Sequence, residues 1–151
     1  MVKNISKIDI NSKQSKENRI NWLKEIELLN SNLKLSRFQG NNKQIDRARK
    51  RNKFLARERI ELILDPDSPF FELMPLSGIQ YEKGFGAGGT NVSGIGLVNG
   101  KLCAINSNVG TRKGGSVDFP TVKKSSRMNQ IILENYYLKW HQKFIGKNQK
   151  I

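Results

Sequence analysis

The segment Asp65-Pro66-Asp67-Ser68-Pro69 carries two prolines within four positions. Each proline pushes the residue before it out of the α region by steric clash, so a helix arriving from the N-terminal side must stop here. Upstream, Leu55, Arg59, Leu62 and Ile63 fall at i, i+3, i+4 spacing and share one helical face. The basic run from Asp46 to Lys53 leads into that helix, with a solvated face as its plainest reading, and an apolar, strand-like stretch from Phe70 to Met74 follows the stop. The local reading is a basic helix turned sharply into a sheet.

Asn99-Gly100, between the apolar segments Val92–Val98 and Lys101–Asn106, predicts a β-hairpin. Both central residues of a type I′ turn need positive φ, which Asn and Gly tolerate. Gly94 and Gly96 suggest a bulge or close packing. Cys103 is expected on the core face as an inert thiol, because only Lys101 lies near enough in sequence to favour a thiolate. Before the hairpin, residues 75–91 read as a glycine-rich loop. Gly84-Phe85-Gly86-Ala87-Gly88-Gly89 matches G-x-G-x-x-G, but it opens a strand rather than a helix, so a dinucleotide site is rejected.

Ile20, Leu23, Ile26, Leu29 and Leu33 predict an amphipathic helix over Lys16–Leu35, its face widened by Trp22, Leu28 and Leu35 and its end marked by Gly40-Asn41-Asn42. Residues 1–15 are polar and expected to be disordered. After a second loop, Asn108–Pro120, the residues Val122, Met128, Ile131, Ile132 and Tyr136 predict a helix over Thr121–Leu138.

The 151 residues favour one domain. Twenty-seven Lys and Arg against 13 Asp and Glu give a net charge of +14, which attracts anions such as phosphorylated cofactors, nucleic acid or acidic membrane, though drift toward Lys, Asn and Ile also contributes. One cysteine excludes an internal disulfide and, with a single histidine, His141, leaves no metal-ligand or Ser-His-Asp constellation. Asp65 and Asp67 could mimic a carboxylate pair, but the proline turn accounts for both. No apolar run approaches membrane-spanning length.

The start of the last helix is unusual. Lys123, Lys124 and Arg127 lie where the helix dipole disfavours cations. With Gly114-Gly115 just upstream and free backbone N–H groups at the helix start, the pattern is either an anion site or a solvent-facing lysine pair.

The order of these residues resembles a known family. Lys53-Phe54-Leu55-Ala56-Arg57-Glu58-Arg59-Ile60, Asp65-Pro66-Asp67-Ser68-Pro69-Phe70, Lys113-Gly114-Gly115, Phe119-Pro120-Thr121-Val122-Lys123-Lys124 and Arg127 are similar to stretches of the carboxyltransferase (beta) subunit of biotin-dependent acyl-CoA carboxylases, in the methylcrotonoyl-CoA or propionyl-CoA style. The likeness runs from about Lys24 to Asn135. It implies an α/β (α+β) fold: a partial crotonase-like (ClpP/crotonase) arrangement of ββα units with an N-terminal helical extension. The implied division is a disordered N-terminus at 1–15, a helical extension and basic linker at 16–53, the start of the carboxyltransferase domain at 54–135, and a divergent tail at 136–151.

The resemblance further implies that Arg57, Lys113, Gly114, Gly115, Lys123, Lys124 and Arg127 face CoA. Arg57 is preferred over Arg59, which shares the apolar face and is expected to be structural. No residue is assigned a catalytic role, and no metal or directly bound cofactor is expected. Carboxybiotin would come from a biotin-carrying alpha subunit, acyl-CoA would be the substrate, and like subunits would be partners. Membrane is not expected as a partner, and nucleic acid is disfavoured as one. The implied location is cytoplasmic, or the mitochondrial matrix in a eukaryote.

After Asn135 the family continues with a Leu-Pro pair, a buried strand and a Gly/Ala loop, whereas this chain reads Tyr136-Tyr137-Leu138-Lys139-Trp140-His141. On that reading the chain is an N-terminal piece or frame-shifted product, inactive alone, with an open sheet edge at the hairpin. A small basic nucleic-acid-binding protein is the alternative; the lack of aromatics interleaved with Lys and Arg in the hairpin counts against it.

Overall fold

The computed structural model describes residues 8–81, 86–135 and 138–142. The elements in chain order are α1 (Lys13–Ser36), α2 (Asn42–Lys50), α3 (Ala56–Ile63), β1 (Phe71–Leu73), β2 (Asn91–Val98), β3 (Lys101–Asn108), α4 (Phe119–Asn135) and β4 (Leu138–Gln142). The strands form one sheet in the order β1-β2-β3-β4. β1 and β3 run antiparallel to β2, and β4 runs parallel to β3.

The hairpin forms where Asn99-Gly100 requires it, with φ of 50° and 71° at the two residues. The proline turn is tied to its tip. The Asp65 carboxylate accepts the backbone N–H of Asn99 at 2.6 Å and of Gly100 at 2.7 Å, and Asp65 N–H donates to the Leu97 carbonyl at 2.9 Å. Asp65 is therefore a structural acceptor joining helix stop to hairpin. Asp65→Ala should lower the free energy of unfolding by about 1–2 kcal/mol, the loss of two charge-assisted bonds at a partly solvated site. Urea denaturation measures it, and a loss no larger than that of Asp67→Ala would refute this role.

One face of the hairpin, carrying Cys103, Ile105, Val92 and Ser107, packs against α3. Ala56, Ile60 and Ile63 of α3 complete this core, with Leu64, Phe70 and Val98 at its margin. Cys103 is buried there as a free thiol. Gly94 and Gly96 lie on the same face in unbroken register, opposite Ile105 and Cys103, so there is no bulge. They are glycines for close packing: a Cβ at Gly94 would meet the Phe70 ring and lie 2.5 Å from the Phe71 carbonyl oxygen, and one at Gly96 would meet Leu64. The opposite face is polar at its buried end. Asn91 and Ser93 donate to the Asn106 side chain at 2.8 and 2.9 Å, and Asn91 also reaches Ser125 of α4.

Several local expectations shift. The buried face of α3 is Ala56, Arg59, Ile60 and Ile63, whereas Leu62 is exposed and Leu55 precedes the helix. The helix docks on the sheet through Ala56, Ile60 and Ile63, a stripe turned away from Leu62. In α4 the buried side is Pro120, Thr121, Lys124 and Met128, and Val122 is exposed. The basic run is helical from Asp46 to Lys50, as the second half of α2, and leaves the helix at Arg51. Asn41 starts α2 rather than ending α1: its side chain accepts the Gln44 N–H while the Gln44 side chain accepts the Asn41 N–H, a reciprocal cap. α1 begins at Lys13, inside the stretch expected to be disordered, capped by Ser12. The expected open edge at β3 is occupied, because β4 pairs with it from Cys103↔Leu138 to Ser107↔Gln142. Tyr136 of the expected α4 face lies outside the described residues.

Candidate functional site

The N-terminus of α4 lies two residues before the expected helix start. The helix starts at Phe119, so Lys123 and Lys124 sit in its second turn. Asp118 caps it, its carboxylate accepting the Thr121 N–H at 3.1 Å and the Thr121 hydroxyl at 2.5 Å, and its carbonyl accepting Val122 N–H at 2.9 Å. Pro120 has no N–H to offer. The first turn is thus closed by a carboxylate of its own chain rather than open to an anion.

The two adjacent lysines divide. Lys124 is 2% exposed, and its ammonium donates to the carbonyls of Asn91 at 3.0 Å and Gly88 at 3.3 Å. Burial pushes its pKa down to about 8, against a raising influence from Glu72 and further lowering by Arg57 and Arg112. Lys123 is exposed and lies over aromatic faces, 4.8 Å from the Phe119 ring centroid and 5.8 Å from that of Tyr81. Its proximity lowers the Tyr81 phenol below its ordinary value. Tyr81 and Phe119 meet edge to face at 5.5 Å.

The Lys124 shift has a consequence for stability. The unfolded chain holds this proton more tightly than the folded one, so between pH 8 and 10.5 the folded state gains stability as pH rises, while below 8 the full burden is carried. Across the whole interval the gain is about 3–4 kcal/mol, from about 1.4 kcal/mol per pKa unit. Urea midpoints measured from pH 7.5 to 10 should rise more in the native chain than in Lys124→Met, where the group is absent. Parallel profiles would remove Lys124 as their source.

The other expected CoA-facing residues are not gathered in one place. Arg57 forms a bidentate pair with Glu72, at 2.6 and 3.0 Å, and its backbone N–H donates to the Gln39 side chain at 3.0 Å. Arg127 is exposed, 3.1 Å from the Gln130 amide oxygen and 3.6 Å from Glu134. Lys113, Gly114 and Gly115 form a left-handed turn, with φ of 45°, 65° and 78°. Two glycines make that turn cheap, and Lys113 adopts it at some cost.

Two cavities border these residues. A cavity of about 410 Å³ lies where α2, the start of α3 and the 110–114 turn meet; Arg47, Arg51, Lys53, Arg59, Lys113 and Gly114 are among its walls. A second, of about 470 Å³, is framed by Met74, Leu76, Tyr81, Pro120, Lys123 and Lys124. The sequence reading missed Arg47, Arg51 and Lys53 as site residues, although Arg47 and Arg51 at i, i+4 within a basic run are the signal that could have placed them on one side of a helix. It also missed Tyr81. Among the described residues no cluster of His, Cys, Asp and Glu could hold a metal, and no helix is long and apolar enough to cross a membrane.

Comparison with known proteins bears on what such a surface serves. Residues 47–150 match the family model described as the carboxyl transferase domain, so the match continues past Asn135. The probable biotin-dependent acyl-coenzyme A carboxylase beta2 subunit of Mycobacterium tuberculosis is 39% identical over 130 residues, 86% of this chain and 24% of the relative. The mitochondrial methylcrotonoyl-CoA carboxylase beta chain of Dictyostelium discoideum is 39% identical over 129 residues, 85% of this chain and 22% of the relative. Among solved structures, the beta subunit of geranyl-CoA carboxylase from P. aeruginosa superposes with a TM-score of 0.63 at 26% identity, covering 92% of this chain and 26% of that one. The 12S transcarboxylase core superposes with a TM-score of 0.54 at 22% identity, a likeness of fold alone. The chain spans about a quarter of the length of these relatives. The ββα succession of β2, β3 and α4, followed by a parallel strand, is the crotonase-like arrangement of those beta subunits. With that order of elements, and with a family match across more than half its residues, the chain belongs to the carboxyl transferase domain family.

Proposed function

We propose that this chain supplies part of the acyl-CoA side of a carboxyltransferase beta subunit. In the reaction the N–C bond of carboxybiotin breaks and a C–C bond forms at the enolisable carbon of the acyl-CoA, the α-carbon of a saturated acyl group or the vinylogous γ-carbon of a methylcrotonoyl group, and the proton lost from that carbon passes to the biotin nitrogen. The observation that carries this reading is the match across residues 47–150, together with relatives named as biotin-dependent acyl-CoA carboxylase and methylcrotonoyl-CoA carboxylase beta subunits. A methylcrotonoyl-like substrate, a biotin-carrying alpha subunit and like subunits are the corresponding partners. The cytoplasm, or the mitochondrial matrix in a eukaryote, is the corresponding location, since the Dictyostelium and Arabidopsis relatives are named mitochondrial. The nucleic-acid alternative gains no support from these relatives.

Within the chain, Lys113, Gly114, Lys123 and Lys124 border cavities and are the strongest of the proposed CoA-facing residues, with Gly115 adjoining. Arg57 and Arg127 join them only if their contacts with Glu72 and Glu134 open, and Lys113 likewise lies 3.9 Å from the Asp118 carboxylate. Titration calorimetry with methylcrotonoyl-CoA tests the reading. Lys123→Ala is the variant to use, because Lys124 is buried and its removal disturbs the fold as well. A three- to tenfold weaker affinity is expected, the worth of about 1 kcal/mol for one exposed charged contact. Failure of the native chain to bind any acyl-CoA would remove the proposal.

A further inference from the structure

Asn99 and Gly100 form the exposed tip of the hairpin, and the pair is chemically perishable as well as turn-forming. Asparagine is a thermolabile residue, most of all before glycine, where no Cβ shields the next backbone nitrogen. That nitrogen attacks the side-chain amide carbon. A new N–C bond forms, the bond to the side-chain nitrogen breaks, and ammonia leaves. Water then opens the resulting succinimide at either carbonyl, giving aspartate or isoaspartate. The sequence of steps needs only water and a base to remove the backbone proton. Nothing lies within 4 Å of a Cβ added at Gly100, so the tip is open to both.

The fold places a carboxylate on the attacking atom. The two oxygens of Asp65 accept the N–H of Asn99 at 2.6 Å and of Gly100 at 2.7 Å. Attack requires the Gly100 nitrogen to lose its proton. A carboxylate that accepts that proton opposes the loss twice, by the hydrogen bond it forms and by its charge beside the nascent anion. Closing the five-membered ring also takes a rotation about the Asn99 Cα–C bond that carries the Gly100 N–H off Asp65 and leaves the left-handed pair of the turn, with φ of 50° and 71°. Asp65 is itself held in place, because its own N–H donates to the Leu97 carbonyl at 2.9 Å. The proline turn that stops α3 thus supplies a guard to a residue thirty-four positions later.

We infer that Asn99 is a site of spontaneous deamidation and that Asp65 guards it, keeping the site latent while the proline turn is clamped on the hairpin. Modification then keeps the clamp open. Aspartate at 99 adds a negative charge next to the atoms that Asp65 holds, and isoaspartate adds a backbone carbon to a two-residue turn. The inference does not depend on the acyl-CoA reading.

The test uses the whole 151-residue chain, Asp65→Ala and Arg57→Ala, each incubated folded at one mildly alkaline pH, with the native chain also incubated in urea. Deamidation of the tryptic peptide that holds Asn99 is followed by mass spectrometry. Arg57→Ala is the control, since it breaks a pair with Glu72 and weakens the fold by a similar amount without touching the turn. The folded native chain should react about tenfold or more slowly than the chain in urea, as a closed segment does. Asp65→Ala should react about five- to tenfold faster than the folded native chain, the worth of a charge-assisted hydrogen bond at a half-buried site, and Arg57→Ala at close to the native rate. Equal rates in the folded and unfolded native chain, or in Asp65→Ala and the native chain, overturn the inference. So does equal acceleration in the two variants, because general loosening rather than a guard would then set the rate. If circular dichroism shows Asp65→Ala misfolded, Asp65→Asn is measured in its place. It keeps the size and loses the charge, and an unchanged rate has the same overturning force.

Discussion

Arg59→Ala should cost the fold about 3–5 kcal/mol, while Arg57→Ala, two positions earlier, should cost about 1–2. The two arginines leave the same short helix in different directions. Arg59 is 2% exposed and lies on the α3 face that packs on the sheet. Its guanidinium donates to the Asn108 carbonyl at the end of β3, and its burial lowers its pKa from the ordinary value. Truncation removes that charge-assisted bond, leaves a carbonyl without this donor, and opens a cavity the length of the side chain. The first two effects are worth about 1–3 kcal/mol and the cavity a comparable amount.

Arg57 loses a well-formed pair with Glu72, but both side chains keep a fifth or more of their surface in water, at 24% and 20%. Solvent compensates much of such a loss. Against a total stability of about 5–15 kcal/mol for a domain, the first change leaves little and the second leaves most. Chemical denaturation of the two variants side by side decides the matter. A loss at Arg57 equal to or greater than that at Arg59 would reverse the assignment of structural and site-facing roles.

Gly94→Ala should be nearly as damaging, at about 2–4 kcal/mol, although it adds a single methyl group. The new carbon would lie 2.5 Å from the Phe71 carbonyl oxygen and against the Phe70 ring. Overpacking of a filled core costs about 1–3 kcal/mol, and here the obstacle is partly backbone of the paired strand β1, which cannot turn aside as a side-chain tip can. Gly100→Ala is the control. Its φ of 71° strains an alanine, but nothing lies within 4 Å of the added carbon, so the cost is limited to about 1 kcal/mol of conformational strain. In thermal melts Gly94→Ala should fall about 4–16 °C, at roughly 2–4 °C per kcal/mol for a chain of this size. Equal losses for the two glycines would show that β1 and Phe70 yield to the methyl group.

Features that depend on only a few neighbouring residues are legible in the sequence. Asn99-Gly100 dictates a type I′ turn because few residue pairs tolerate positive φ twice in succession. The prolines of the 65–69 segment end α3 because ring and backbone collide. The ordered run of residues from Lys53 to Phe70 and from Lys113 to Arg127 identifies the carboxyl transferase family, since a long sequence of matched types is specific where a lone glycine triplet is not.

The site itself is only partly legible. Hydrophobic periodicity assigns a lysine to solvent and a leucine to the core, and that rule misplaces both Lys124 and Leu62. Lys124 is inside because the carbonyls of Gly88 and Asn91, more than thirty positions earlier, satisfy its ammonium. Leu62 is outside because α3 docks on the sheet through the stripe 56, 59, 60 and 63. The cap of α4 by Asp118 closes a helix end that charge pattern alone suggests is open.

What the sequence determined was the set of local choices: where chains turn, where helices stop, and which family they spell. Tertiary structure alone decided which of the many cations face a common space, because Arg47, Arg51 and Lys113 acquire a shared cavity only after α2 and the turn beyond β3 have packed around α3. A periodic pattern encodes the direction of a side chain relative to its own helix or strand. It does not encode the partner that will arrive from a distant part of the chain, and it is that partner which makes a charge buried, paired or turned toward a ligand.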